Sequence, residues 1–567
     1  MPKMTAWRAV VEALEAEGVK RIYGLPGNPL HLVADIVEHS DIDIVLMRHE
    51  HSGVAAAYAE ARMTGRPAVC FGNPGPGTTN MVTALLEATC GSLPVIALSN
   101  GTPHSTAGKG AFQELDTLAL MRPVTKWAER PTDPAKLPWV MQRAFSLAVN
   151  GRPGAVFIDI PSDIGLVEAE IPAYVPALGR LRSRPNQTAT KAAAALLAAA
   201  RRPIFLCGSG AVSSGATATL TALAEKAGAA VFTTPGGRGV FPESHELSLG
   251  QVGLYFTRLG KSYYDEADLV ISVGSRLEEF STGAWRYFPA GAKFVQIDTD
   301  PHAIAMNWRP DVALVGDAAL CLEDLAAALD RLDAAAAAAR RRRIAEAQSG
   351  YLAEVAADCA EPHRPIRTRQ IMAAINRVFG RDTILMNENG GADLWSYYWP
   401  YYRVLDAGCC VPMAEQTAMG MGVIGAIGAK LSCPDRNVVC VTGDAAFAMA
   451  MMELATAAER KLGVTWVMLN NQSLGWPQYL QVLDNRQAVA TDYPTGPDFV
   501  KIAEAQGCKG LLVQDPADVE PALAAALAAN RKGVPMLIDF RIEKHDYPPH
   551  FVDFHKEVFA LGQHIPG

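Results

Sequence analysis

The 567-residue sequence holds no apolar run long enough to span a bilayer. A membrane-spanning helix is therefore not expected. Its ten cysteines include no C-x-x-C pair, so nothing in their spacing calls for a metal or redox centre. Cys70, Cys207 and Cys440 sit inside apolar runs, where cysteine acts as a small hydrophobe, and the simplest expectation is a reducing cytosol. Positive charge is not in excess. The formal net charge of −8 argues against nucleic acid as a main partner. No signal peptide is expected, because Met-Pro-Lys-Met-Thr-Ala-Trp-Arg leads straight into an amphipathic helix. What is present is a chain that is 49% hydrophobic and 19% charged. At this length it suggests about three well-buried domains.

Short apolar runs alternate with helical patterns throughout. In the first third, strands are expected at Arg21–Gly24, Ile42–Met47, Ala68–Gly72, Pro94–Ser99 and Val156–Ile160. The intervening helices are Thr5–Glu17, Pro29–Glu38, His51–Met63 and Thr79–Thr89. A Pro-rich stretch from Ile171 to Pro185 reads as a linker. The middle third has strands at Pro203–Cys207, Ala230–Thr233, Leu269–Val273 and Phe294–Ile297, and one long helix at Leu320–Ala357. The last third has strands at Thr383–Met386, Val438–Thr442, Thr465–Leu469, Gly510–Val513 and Pro535–Phe540. Its helices are expected at Glu415–Lys430, Phe447–Lys461, Phe499–Gln506 and Pro516–Asn530. The pattern implies three consecutive doubly wound α/β domains with parallel sheets. They are expected at 1–172, 187–358 and 366–548, with a tail at 549–567 that folds over the site as a lid or packs on the surface.

Two motifs stand one βαβ unit apart. Gly443-Asp444-Ala445 follows one apolar run and Asn470-Asn471 follows the next. Both motifs should end at the same sheet edge, where a carboxylate and an amide could hold a hard cation, with helix N–H groups beside it for phosphates. The same residues also fit an ordinary βαβ unit with a strand-end Asp and a polar turn. Other turns add to the pattern: His49-Glu50-His51 before an Ala-rich helix, Gly72 to Asn80 with three glycines, Gly110 to Asp116, and Thr417 to Gly422.

Together these motifs resemble those of thiamine diphosphate (ThDP)-dependent enzymes, on the acetohydroxyacid (acetolactate) synthase branch. The resemblance covers nearly the whole chain. It implies pyrimidine-binding, middle and diphosphate-binding domains. Asp444 and Asn471, 27 residues apart in the sequence, would bind Mg2+ through side chains and Ser473 through its carbonyl. Glu50 would hydrogen-bond the cofactor's pyrimidine and set its tautomer, and Gln113 would reach towards the reacting carbon. Gly75, Pro76, Asn80, Met419, Gly443, Ala445, Ala446 and Met449 would contact the cofactor, Met419 by holding it bent. Leu25, Phe112, Gln113, Trp476 and Leu480 would line the substrate pocket. The resemblance also implies a homodimer or tetramer with shared sites: Glu50, the Gly75 turn and Gln113 from one subunit, Met419, Asp444 and Asn471 from the other.

The chain departs from the synthase pattern at specific places. Leu480 stands where the synthases carry Trp, Trp476 where they carry Met, and Ser162 where they carry Lys. Asn387 to Asp393 replaces their Gly-x-His-Gln turn, and the His-His pair of pyruvate decarboxylases is absent. The expected function is therefore a ThDP- and Mg2+-dependent carboligase or decarboxylase acting on a 2-oxo acid or acyloin, with an altered substrate pocket. Rival readings are a flavin-dependent oxidase or a C–C lyase or hydrolase of the same fold, and a non-catalytic nucleotide-binding protein. Gly208-Ser209-Gly210, Gly274-Ser275-Arg276 and Asp298-Thr299-Asp300 occupy strand ends where relatives hold FAD or ADP, though an empty middle domain fits equally.

Overall fold

The computed structural model describes residues 2–27, 30–330, 332–391 and 393–559. The chain forms two compact units. One contains Met1–Leu181, Gln416–Pro434 and Ala450–Arg460; the other contains Arg182–Glu415, Asp435–Met449 and Lys461–Gly567.

Three six-stranded sheets, parallel throughout, organise these units. The first runs in the spatial order Asp43–Leu46, Arg21–Gly24, Ala68–Gly72, Val95–Gly101, Val156–Pro161, Trp127–Glu129. The third runs Cys410–Val411, Thr383–Asn387, Asn437–Gly443, Val464–Asn470, Met536–Arg541, Lys509–Val513. Counted from the first strand of each, both orders are 2-1-3-4-6-5. The middle sheet runs Ser248–Gln251, Ala230–Thr233, Pro203–Cys207, Leu269–Val273, Lys293–Asp298, Val312–Val315, which is 3-2-1-4-5-6. Central strands such as Val464–Asn470 are buried along their whole length, as expected where helices cover both faces. A short antiparallel pair, Lys3–Thr5 with Glu168–Glu170, joins the two ends of the first domain.

In the first unit, helix Glu50–Thr64 buries Val54 to Ala59 and Ala61. Helix Met421–Ser432, also of small residues, packs against it. A Cβ added at Gly428 would stand 2.1 Å from the Ala56 carbonyl oxygen, so only glycine permits this approach. In the second unit, the fully buried Arg238 pairs with Glu243 and donates to the carbonyls of Ser396 and Tyr402, while Glu243 accepts from the Val404 amide. This network pins the aromatic turn Trp395–Tyr402 to the loop between strands Ala230–Thr233 and Ser248–Gln251. Breaking such a pair leaves a buried charge, which costs about 3–5 kcal/mol.

Several expected elements change. The helix expected at Leu320–Ala357 is two helices, Ala318–Ala327 and Ala334–Ala360, the second capped by the Asp333 carboxylate on the amides of Ala335 and Ala336. The helix expected from Glu415 starts at Met421, because Thr417 (φ 48°) and Gly420 (φ 88°) form a left-handed turn before it. Phe447–Lys461 is not one helix. Helix Asp444–Ala450 starts at the motif itself, and a 3-10 turn separates it from Leu454–Glu459. Pro29, the expected first residue of the second helix, lies outside the described residues, and that helix runs Leu30–His39. Six short strands were not expected: Lys3–Thr5, Trp127–Glu129, Glu168–Glu170, Ser248–Gln251, Val312–Val315 and Cys410–Val411.

Of the expected tail, residues 549–559 are described. Phe551–Phe554 forms a helical turn, and the segment around it packs over helix Gly475–Leu483. Tyr547 meets Tyr479 with ring centroids 4.6 Å apart, Phe551 meets Trp476 at 5.2 Å, and His555 contacts Asp484 at 2.8 Å. Residues 560–567 lie outside the described set. Among the described residues, no helix is long and apolar enough to cross a membrane.

Candidate active site

In the first unit, Glu50 opens its helix at the end of strand Asp43–Leu46 and is 5% exposed. Its two oxygens accept separately: Oε1 from the Asn73 side-chain amide at 3.2 Å, Oε2 from the Asn80 amide at 3.0 Å. The glycine turn is shaped around this carboxylate. A Cβ at Gly77 would lie 2.8 Å from Glu50 Oε1, and one at Gly72 would lie 3.0 Å from Glu50 Cγ. Asn80 was expected to contact the cofactor; here it holds Glu50. Asn73 was not expected at all, although an amide at a strand end beside Gly72 was a readable signal. The adjacent His51 is neutral, since burial and then His49 push its pKa down to about 4.

Gly75, at φ 58°, lies against Gln113, whose carbonyl oxygen would be 2.9 Å from an added Cβ. Gln113 itself is left-handed (φ 62°), which is unusual for a residue with a side chain. Beside it, Phe112 is 80% exposed. Leu25 is half-buried just beyond strand Arg21–Gly24, and Pro76 is exposed. The Met419 turn is elsewhere in the same unit. Ala418 N donates to the buried Glu87 carboxylate at 3.4 Å. Asn80 and Glu87 are seven residues apart on helix Pro76–Cys90, about 10 Å along its axis. The structure therefore brings together Glu50, Asn80, Gly75 and Gln113.

In the second unit, Gly443-Asp444 and Asn470-Asn471 end neighbouring strands, with Gly443 in register with Leu469. Asp444 is 4% exposed, and burial raises its pKa to about 7 against the lowering pull of its own and the Ala445 amide. Asp444 Oδ1, Asn471 Nδ2 and Ser473 Oγ are buried and have no hydrogen-bond partner among the described residues. The Asn471 side-chain oxygen accepts from Ser473 N at 3.2 Å, which fixes the turn. Asp539 and Arg541 on the next strand also face Asp444 electrostatically, the first raising and the second lowering its pKa. Sequence reasoning missed both, although two charged residues in the apolar run Met536–Arg541 were visible.

Polar atoms buried without partners fit a polar ligand. No cluster of three His, Cys, Asp or Glu that could hold a metal occurs among the described residues. One carboxylate, one amide and one carbonyl suit a hard cation that takes its remaining oxygens from phosphates or water, as Mg2+ does. Ala445 is half-buried, Ala446 is buried and Met449 is 59% exposed.

Further along, Trp476 is half-buried between the rings of Phe280 (6.0 Å) and Phe551 (5.2 Å), and Leu480 is half-buried on the same helix. The replaced turn places a fully buried Glu388 at the end of strand Thr383–Asn387. In the middle sheet, the turns after Pro203–Cys207 and Leu269–Val273 lie at the switch point of the strand order, where ligands bind in such sheets. Here the turns touch each other: an added Cβ at Gly208 would be 2.4 Å from the Gly274 carbonyl oxygen. Close packing thus accounts for these glycines by itself.

Comparison with known proteins gives matches to three family profiles. Residues 4–120 match the N-terminal TPP binding domain of thiamine pyrophosphate enzymes, 190–325 their central domain, and 392–540 their C-terminal TPP binding domain. The chain is 35% identical over 556 residues to the probable acetolactate synthase large subunit of Methanocaldococcus jannaschii, covering 96% of this chain and 93% of that protein. It is 33% identical to the acetolactate synthase isozyme 1 large subunit of Escherichia coli K12, covering 96% of each. It is also 33% identical to the acetolactate synthase large subunit of Parasynechococcus marenigrum, covering 95% and 88%.

Proposed function

Because the chain belongs to the thiamine pyrophosphate enzyme family, among relatives of the acetolactate synthase large subunits, we propose that it is a Mg2+-assisted carboligase. In this reading it decarboxylates a 2-oxo acid and joins the remaining acyl unit to a carbonyl acceptor. ThDP, when bound, supplies a nucleophilic carbon and an electron sink next to a carbonyl. The protein supplies the rest. Asp444, Asn471 and the Ser473 carbonyl hold the cation and through it the diphosphate. Glu50, desolvated and oriented by two amides, holds a proton at the pyrimidine edge. Gln113 orients the carbonyl substrate.

The observation that carries the reading is the contrast between two buried carboxylates at strand ends. Glu50 is fully held by amides, while Asp444 Oδ1 has no hydrogen-bond partner among the described residues. The first suits a fixed proton-sharing group and the second a metal ligand.

The site is completed by a second copy of the chain. In this reading one copy gives Glu50, the Gly75 turn and Gln113, and the other gives Met419, Asp444 and Asn471. Trp476 and Leu480, backed by Phe280 and Phe551, form an altered acceptor wall. The test is direct. The protein is loaded with ThDP and Mg2+, and carbon dioxide and coupled products are followed with a set of 2-oxo acids and aldehydes. Decarboxylation without any coupled product would overturn the carboligase reading.

A further inference from the structure

Phe112 and Gln113 sit on a long connection between strand Val95–Gly101 and helix Thr117–Met121. A connection of this length should be adaptable. Here it is tied at both ends and in its middle. At the start, Arg130 Nη2 donates to the Thr102 carbonyl at 2.5 Å, and the Asp163 carboxylate accepts from the amides of His104 (2.7 Å) and Ser105 (2.9 Å). At the end, Thr117 Oγ1 donates to Asp159 Oδ2 at 2.5 Å, and Arg130 Nη1 lies 3.3 Å from the same oxygen. One pair, the half-buried Arg130 with the buried Asp159, thus grips both ends. Asp159 is 0% exposed and lies against Gly101, where an added Cβ would be 2.5 Å from its Oδ1. Inside the loop, Glu114 accepts from the amides of Gly108 and Ala111. Between these ties stands Gln113 in its left-handed conformation, a state that persists only where the surroundings over-determine it.

We propose that Asp159, Arg130 and Asp163 are positioning residues that preset the 102–117 loop, so that Gln113 meets the acceptor from a fixed arm rather than from a loop ordered by substrate. None of the three touches the reacting atoms. The effect on turnover rests on the reading of Gln113 given above; the effect on the loop does not.

Amide hydrogen exchange of the ThDP- and Mg2+-loaded protein tests it, with Thr117→Val, Thr117→Ser, Asp159→Asn and Asp163→Asn. Each lost tie should speed exchange across 102–117 about fivefold to tenfold, the equivalent of one hydrogen bond, with strands Val95–Gly101 and Val156–Pro161 unchanged. Thr117→Ser, which keeps the hydroxyl, should behave as the unmodified protein. Acceptor KM should rise more than kcat falls, with ThDP affinity kept. Unchanged loop exchange in Thr117→Val and Asp163→Asn would overturn the proposal, as would exchange that rises equally in the flanking strands. If Asp159→Asn fails to fold, the Thr117 pair and Asp163→Asn decide. Turnover unaffected by Gln113→Ala would overturn the role of Gln113 while the exchange result still decides the clamp.

Discussion

Replacing Asp444 with Asn separates the cost of burying this carboxylate from its use in holding a cation. In the apoprotein burial lifts its pKa from an ordinary 3.8 to about 7. A folded pKa above the unfolded one means that folding favours the protonated form. The contribution to stability is full below about pH 4 and is lost as pH rises to about 7. A rise of that size corresponds to about 4 kcal/mol. Asn resembles the protonated acid and has no such dependence. Asp444→Asn apoprotein should therefore match the parent at about pH 4, trail behind nowhere above it, and exceed the parent by up to about 4 kcal/mol near pH 8. Thermal unfolding followed across this range would show it as a gap of several degrees that opens with pH. Adding Mg2+ and ThDP should reverse the order at about pH 8, raising the parent and leaving the variant unmoved. A gap that is flat with pH, or a variant less stable at every pH, would refute the reasoning.

Glu50→Gln should lower turnover by about 10²–10⁴-fold while ThDP still binds, as isothermal titration and steady-state rates would show together; undiminished turnover would remove Glu50 from its role. Leu480→Trp should shift the product mixture towards acetohydroxy acids, read by chromatography of products from mixed 2-oxo acids, and an unchanged ratio would count against an altered wall. Gly428→Ala, which sets a methyl 2.1 Å from the Ala56 carbonyl oxygen, should destabilise the first unit by about 1–3 kcal/mol, measurable as a lower unfolding midpoint. Any flavin that copurifies should stay oxidised when a 2-oxo acid is added without oxygen; bleaching would favour the oxidase reading instead.

The central strands were legible because each is an apolar run bounded by turn residues, and burial on both faces leaves little choice of element. Pro203–Cys207 and Leu269–Val273 agree residue for residue. The short strands Trp127–Glu129 and Cys410–Val411 were not legible, because a two- or three-residue strand exists only through the neighbour it pairs with. The start of helix Met421–Ser432 was misread because Thr417 takes a left-handed conformation that its residue type does not announce. At the candidate site, Glu50 and Asp444 stand out in the sequence as motif residues. The partners that define their chemistry, Asn73 for one and Asp539 with Arg541 for the other, come from other strands and only the fold brings them near.

The two amides around Glu50 have a further consequence. Neither Asn73 nor Asn80 can gain or release a proton at ordinary pH, and both donate to the carboxylate. Among the described residues, then, the cage offers Glu50 no relay partner, and a proton it takes up must arrive from ligand or solvent. In the proposed role the two amides hold the carboxylate in place and leave proton exchange to ligand or solvent.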